Sequence, residues 1–571
     1  MRKLTSCISF ILPVFVIAMI TACSNVQEYN GPAADLVIKN AKIVTIDKDN
    51  PRAEAIAVTG EVIVGVGSNN YIEQFIDESK TAVIDAEGRL VVPGFNDAHA
   101  HFGGIDPNEI DLRYITDPGI ITESVREKVA QARPGELISG GGWDHEMFSD
   151  KKWPTKELID PASPDNPVIL DRVGGHNTLV NSYILRASGI AKDTPDPFGG
   201  EIQRDPVTGE ATGILKETAR RLIRTGVKEI TRTPEEEREQ QIREWQAAFD
   251  LAASVGVTSI QLPPGDGPEM YQLFKDMGKL TLRVYFGASL PGDSESLNQI
   301  KELEAQYPRD GNWIRFGYLK GLIDGNLGGG TALLYEPFED EPDKIGLPRY
   351  TYEELERRIV AADKMGFQIG IHAIGTKGST WVLDAFEKAQ QVNGKRDSRH
   401  RNEHAQVLIP EDIPRFAQLG VIASMQPVHC ITDKRFCEKR IGYERSKGAY
   451  AWRSLLDTGA QIAFGTDYTV EPLDPLEGLY AAVTRKDRFN RDEPSWFPEQ
   501  CLTMEESIEL YTLGSAYAEF MEGRKGMLKV NYLADLVIYK EDLMTMPAKS
   551  IMDNKVDYTI AGGKIVYQRL K

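Results

Sequence analysis

Two histidines separated by a single residue close the stretch Leu90-Val-Val-Pro-Gly-Phe-Asn-Asp-Ala-His-Ala-His-Phe102. In extended chain, side chains at i and i+2 point the same way, so His99 and His101 can face one cation. Imidazole is a standard ligand for zinc and its neighbours. Four more ligand-type residues end later apolar runs: Lys320, His372, His404 and Asp467. Taken singly, each has an ordinary reading, either a strand-end residue bonded to a loop or a lysine reaching for solvent. Together with the His-x-His pair they supply every ligand type that a two-metal hydrolytic site needs.

Such residues meet only if the scaffold brings several strand ends to one place. The run into His99 is followed by Val257-Thr-Ser-Ile-Gln-Leu, Leu282-Arg-Val-Tyr-Phe-Gly and Ile314-Arg-Phe-Gly-Tyr-Leu-Lys320. Then come Gln368-Ile-Gly-Ile-His372, Arg401-Asn-Glu-His404, Val421-Ile-Ala-Ser-Met-Gln and Gln461-Ile-Ala-Phe-Gly-Thr-Asp467. Helical patterns over 234–254, 352–365 and 378–392 lie between them. Eight strand–helix units predict an α/β fold, a (β/α)8 TIM barrel with its chemistry at the C-terminal strand ends. By period two, Ile314, Phe316, Tyr318 and Lys320 share one face, which sets Lys320 beside large apolar side chains. Residues from about 103 to 232 are too many for one connection and read as an insert or lid on the barrel, which itself spans 93–525. Short β-branched runs broken by Gly, Asn and Asp recur at both ends, and Gly562-Gly563 signals a hairpin. Residues 35–92 and 526–571 are therefore expected to form one small β-sandwich.

The chain has 571 residues, 41% hydrophobic and 26% charged, which is ordinary globular composition with room for a large core. A net charge of −19 argues against a nucleic-acid partner, since nothing basic is concentrated enough to displace counterions. Arg2 and Lys3 precede an apolar run that ends Ile20-Thr-Ala-Cys23. This resembles a bacterial lipobox, which implies a signal peptide over 1–22, lipidation of Cys23 and a polar tether over 23–34. An ordinary secretory signal with a chance cysteine is the alternative. The lipoprotein reading places the protein in the cell envelope facing the periplasm, with Ser24 favouring the outer membrane, or else exported. Cys430, Cys437 and Cys501 are then left in an oxidising compartment, where a Cys430–Cys437 disulfide and buried free thiols are both compatible with the spacing.

The motifs Pro93-Gly-Phe-Asn-Asp-Ala-His-Ala-His, Lys320-Gly-Leu-Ile-Asp-Gly, His372-Ala-Ile-Gly, Asn402-Glu-His-Ala-Gln, Ser424-Met-Gln-Pro-Val-His429 and Phe464-Gly-Thr-Asp467 stand in order along the chain. In this the sequence resembles the amidohydrolase superfamily, specifically the amidohydrolase 3 group that holds N-substituted formamide deformylase-like proteins. Insert motifs Gly141-Gly-Trp-Asp144, Gly175-His-Asn-Thr-Leu-Val-Asn-Ser182 and Thr212-Gly-Ile-Leu-Lys-Glu217 match as well. Thr376-Lys377 departs from the pattern, where many relatives carry Asp, and this bears on substrate contacts more than on metal.

The resemblance implies one divalent metal, zinc by preference, on His99, His101 and Asp467, and a second on His372 and His404. Lys320, carboxylated by CO₂, would bridge them, because a carbamate offers anionic oxygen where an ammonium would repel the cation. It further implies hydrolysis of a small-molecule amide or formamide by a metal-activated water, with Asp467 moving the proton. Asp144, His145 and His176 in the insert, and His429 after the seventh strand, are candidates for orienting the substrate. The alternatives are an N-acyl-amino acid deacylase or cyclic-amide hydrolase of the same superfamily, and, in a different class, a lipid-anchored binding protein without catalysis.

Overall fold

The computed structural model describes residues 31–106, 109–173, 177–197, 200–225, 233–265 and 267–570, the side chains of Glu146 and Glu217 excepted. The signal segment, Cys23, the first part of the tether and His176 lie outside the described residues.

The two ends of the chain pair with each other. Leu90–Pro93 runs antiparallel to Leu536–Tyr539, with Leu536 opposite Pro93 and Ile538 opposite Val91. These strands sit in a six-stranded sheet in the order Lys564–Gln568, Val556–Ala561, Leu536–Tyr539, Leu90–Pro93, Lys42–Val44, Arg52–Ala53. A four-stranded sheet, Val62–Gly67, Ala55–Thr59, Leu36–Lys39 and Ala82–Asp85, faces it through a core that includes Ile38, Ile56, Val91, Leu536 and Ile560. Gly562 and Gly563 make the hairpin turn with φ of 55° and 72°, the doubly positive backbone that selects glycine there.

The barrel consists of eight parallel strands in sequence order. They are β1 (Phe95–Asp97), β2 (Val257–Leu262), β3 (Arg283–Ser289), β4 (Ile314–Leu322), β5 (Gln368–Ala373), β6 (Arg401–His404), β7 (Ile422–Met425) and β8 (Ile462–Phe464). Most of the apolar run before the His-x-His pair therefore belongs to the sandwich, and the barrel strand starts only after Gly94. A Cβ at Gly94 would collide with Thr258 on β2, so the chain passes closely from one sheet into the other. The seam between β8 and β1 is closed by Ala98 N donating to Phe464 O (3.0 Å) and Asp467 N donating to His99 O (2.7 Å).

Helices α1 (Pro234–Ser254), α2 (Tyr352–Lys364), α3 (Thr376–Asn393) and α4 (Pro427–Ser446) pack around the strands. α1 starts where its sequence dictates: Thr233 and Glu236 form a capping box, Pro234 opens the helix, and Trp245, Ala248, Phe249 and Ala252 make its buried stripe. Between β1 and α1 lies a mixed six-stranded sheet in the order Gly200–Arg204, Ala211–Glu217, Asn177–Val180, Val168–Arg172, Ile138–Trp143, Ile110–Asp111. Its own core includes Trp143, Val168, Leu170 and Leu179.

The alternation expected along β4 fails, and the reason is a bulge. The pairing of β3 with β4 slips between Phe286 and Ala288, which adds one residue to β4 around Gly317. Phe316 packs on Phe286 and Phe367, whereas Tyr318 stacks over Tyr285 and beneath the Arg401 guanidinium. Arg315, which lies over Tyr285 and pairs with Glu519, faces inward with Tyr318. Lys320 thus shares its face with Arg315 and Tyr318 rather than with Ile314 and Phe316. Cys430, Cys437 and Cys501 are free thiols, the first two seven positions apart along α4. Among the described residues, no helix is long and apolar enough to cross a membrane.

Candidate active site

His99 and His101 lie just past the end of β1, and Asp467 lies just past β8. Asp467 Oδ1 is 3.4 Å from His101 Nε2 and 3.7 Å from His99 Nε2, so the two imidazoles converge as the spacing predicted, although beyond the strand itself. Asp97 binds these two turns together. Its Oδ1 accepts from the amides of His99 and Thr466 (both 3.0 Å), and its Oδ2 accepts from the Thr466 hydroxyl. Burial pushes the Asp97 carboxyl up to about 7 in spite of those hydrogen bonds. Gly465 has no room for a side chain: a Cβ there would lie 2.6 Å from both Asp97 Oδ1 and His99 N.

From the opposite wall, His404 ends β6 with φ of 79°, and Asp467 has φ of 59°. Left-handed backbone is costly outside glycine and clusters at functional sites. Here it re-aims His404: Arg401 and Glu403 already face the barrel interior, so strict alternation would turn the next side chain outward. The ring centroids of His372 and His404 are 4.4 Å apart, and those of His99 and His404 are 5.1 Å apart. Lys320, 7% exposed, reaches the same cluster with Nζ 3.3 Å from His99 Nε2.

Neighbouring acceptors fix which nitrogen of each ring is free. His99 Nδ1 donates to Glu403 Oε2 (2.5 Å), His404 Nδ1 to Gln426 Oε1 (2.7 Å), and His372 Nε2 to the Gly325 carbonyl (3.2 Å). That leaves Nε2 of His99, Nε2 of His404 and Nδ1 of His372 as the nitrogens with a lone pair, the pattern by which outer partners orient metal-ligating histidines. Asp324 holds the loop that presents Gly325, accepting from the amides of Leu333 and Gly375 (both 2.8 Å) and of Ile374 (3.1 Å).

The electrostatics point the same way. Burial, followed by the Lys320 charge, lowers His99 and pushes His372 down to about 3, and burial takes His404 well below the usual imidazole value. All three are thus neutral, as a metal ligand must be. Burial works against the Asp467 charge, but the adjacent His101 imidazole, with those of His99 and His429, outweighs it and brings the carboxyl down to about 2. Glu403 is likewise held well below the usual carboxylate range, with Arg401, His99 and Lys320 prevailing over burial. Burial lowers the Lys320 amine to about 8.

The donor set fits a divalent cation. The ligand atoms of His99, His101 and Asp467 lie within 4.8 Å of one another, as do those of His404, His429 and Asp467. Asp467 Oδ1 and His429 Nε2 are buried with no hydrogen-bond partner, an arrangement proteins otherwise avoid. Asp144 and His145 are held within the insert. Arg172 donates to Asp144 Oδ1 (2.5 Å), and His145 stacks on Trp153 at 4.1 Å. Arg435, on the same helix as His429, approaches Asp144 Oδ2 at 3.9 Å. Tyr114, also in the insert, donates to Glu471 Oε2 (3.1 Å) and lies beneath the Arg488 guanidinium. Thr376, at the departure from the expected pattern, opens α3 and accepts from the Tyr335 amide (3.3 Å). Sequence reasoning gave Glu403, Asp97, Asp324 and Gln426 no role.

A family model described as "Amidohydrolase family" matches residues 82–567. The chain is 34% identical over 549 residues to Protein LONG AFTER FAR-RED 3 of Arabidopsis thaliana, covering 94% of this chain and 92% of that protein. It is 25% identical over 559 residues to the N-substituted formamide deformylase of Arthrobacter pascens, covering 94% and 98%. Among solved structures, an uncharacterized metal-dependent hydrolase from Pyrococcus furiosus matches with a TM-score of 0.67 and 28% identity, over 89% of this chain and all of that one.

Proposed function

Since the chain belongs to the amidohydrolase family and is a metal-dependent amidohydrolase, we propose that it hydrolyses a carbon–nitrogen bond in a small-molecule amide, an N-substituted formamide before others, with zinc as its metal. The observation that carries this reading is the unpartnered Asp467 Oδ1, set between His99 and His101 at the C-terminal mouth of the barrel. A bound divalent metal supplies Lewis acidity toward a carbonyl oxygen and acidifies water toward neutral pH.

The chain's own residues do the rest. His99, His101 and Asp467 would hold one cation, and His372 Nδ1 with His404 Nε2 would face a second. The lowered Lys320 amine carries an appreciable neutral fraction near neutral pH, the form that takes up CO₂, and a carbamate there would replace a positive charge beside His99 with an anionic oxygen ligand. Asp467, ionised down to about pH 2, is free to accept a proton from the attacking water and to release it to the departing nitrogen. Glu403 and Gln426 keep the ligand rings in the productive tautomer. To test this, chelator-stripped protein is reloaded with Zn²⁺ and assayed on N-formyl and N-acyl amines. Zinc-dependent deformylation supports the reading. Full activity of the metal-free protein would remove it, and a clear preference for N-acyl-amino acids would move the substrate to that class.

Cys23 is the proposed lipid anchor, on the strength of Ile20-Thr-Ala-Cys23 behind a short charged and apolar leader. Cys23→Ser should move the protein from the membrane fraction to the soluble fraction with its activity intact. A wild-type protein that is already soluble, with its N-terminus upstream of Cys23, would end this proposal.

A further inference from the structure

The two oxygens of Asp467 face different histidines. Oδ1 looks to His99 and His101, whereas Oδ2 lies 3.8 Å from His429 Nε2. We propose that His429 is a further ligand of the second cation, the one that His372 and His404 face, joining His404 together with Asp467 Oδ2, so that Asp467 bridges the two cations. The inference rests on the reading that His99, His101 and Asp467 form a metal centre, and it adds a ligand to which the sequence gave only a substrate-orienting part.

The partners of His429 carry the argument. Its Nε2 is buried without a hydrogen bond, and a nitrogen lone pair or N–H left in that state is costly unless something meets it. The His429 and His404 rings are nearly parallel, 17° apart with centroids at 6.2 Å, so their nitrogens can approach Asp467 side by side. The same turn of chain serves both rings. Gln426, immediately before α4, takes the proton side of His404 Nδ1, while His429 stands in the first turn of that helix. His404 is thereby committed to presenting Nε2, and its neighbour arrives on the same short segment.

The spacing suits a small divalent cation. Tetrahedral zinc with bonds of about 2.0–2.2 Å keeps its ligands about 3.4 Å apart. The 3.8 Å between His429 and Asp467 differs little from the 3.7 Å between His99 and the same carboxylate. Donor atoms of His404, His429 and Asp467 all fall within 4.8 Å of one another, as do those of the first group. A role limited to hydrogen bonding with Asp467 would place the atoms closer than they are.

The experiment titrates chelator-stripped protein with Zn²⁺ alone and with Co²⁺ alone, and reads bound metal after desalting together with the cobalt ligand-field spectrum. Wild type should take two equivalents. His429→Ala and His429→Gln, each checked for retained fold by circular dichroism, should take one. Their second-equivalent affinity should fall by more than the ~10–100-fold that loss of an outer partner costs. The cobalt spectrum of the second equivalent should change in both variants. Two equivalents with unchanged affinity in either folded variant overturn the inference and leave the proposed hydrolase intact. A single equivalent that His429→Ala leaves untouched overturns it equally. If wild type takes up no metal at all, both readings fall together.

Discussion

The barrel carries buried charge at both of its ends, and the two ends treat it differently. At the floor, Glu519 accepts from Arg315, Lys525 and Asn96, and Lys525 also donates to Ser259. Each charge there meets one of opposite sign, although Arg315 Nε is left without a hydrogen bond. At the mouth, the atoms Asp467 Oδ1 and His429 Nε2 are buried without a hydrogen-bond partner, and His404 and Asp467 hold left-handed backbone. Both clusters are polar, buried and central. Paired charge at the floor holds the fold together, and the unpartnered carboxylate oxygen and imidazole nitrogen at the mouth are left open to a bound group.

That contrast can be broken most forcefully at the mouth. His99→Ala should abolish metal binding at the His99–His101–Asp467 group and lower kcat/KM by roughly 10³-fold or more, the several kcal/mol that Lewis-acid chemistry supplies. Its thermal midpoint without metal should stay near that of stripped wild type, and a collapse of that midpoint would mean that the mouth, too, is structural. Glu519→Ala should do the reverse. Uncovering Arg315 and Lys525 costs about 3–5 kcal/mol in chemical denaturation, while the protein that remains folded binds zinc as before; weakened metal binding in that folded fraction would erase the distinction.

Glu403→Gln probes the layer between the two ends. It keeps an acceptor for His99 Nδ1 but removes the charge beside Arg401, so zinc affinity should drop ~10–100-fold in a competition titration. An unchanged affinity would show that Glu403 belongs with the floor. The smallest effect is expected from Tyr114→Phe, which removes one hydrogen bond between insert and barrel. It should cost about 0.5–1.5 kcal/mol of stability and leave metal content unaltered, as read by denaturation and metal analysis side by side.

The residues that converge at the strand ends were legible because their chemistry is rare at the close of an apolar run, and the eight runs themselves announce the barrel. Glu403 was hidden in plain text beside His404. Its importance depends on which face of β6 looks inward, and on a backbone twist that turns His404 back toward the centre. Asp97 and Asp324 act on amides of chain far away in sequence, Thr466 in one case and Ile374 and Gly375 in the other, and no local pattern encodes such partners. The bulge at Gly317 turned Tyr318 and Lys320 to the face of Arg315, away from Ile314 and Phe316 with which period two grouped them, because an extra residue in one strand is set by how it pairs with its neighbour. The insert could be delimited by length, yet the order of its strands could not be read.

The pairing of Leu90–Pro93 with Leu536–Tyr539 also has a temporal side. The strand that leads into the His99 turn leaves the ribosome more than four hundred residues ahead of the one that secures it. At about 5–20 residues per second, that interval is roughly 20–90 s. Throughout it, the strand that enters the first histidine pair is paired on one edge alone, with Lys42–Val44, and Asp467 itself has still to be made for most of that time. A cation held by Asp467 together with the histidine pair would therefore have to wait until translation is well advanced, so its loading would fall late in the life of the nascent chain or after its release.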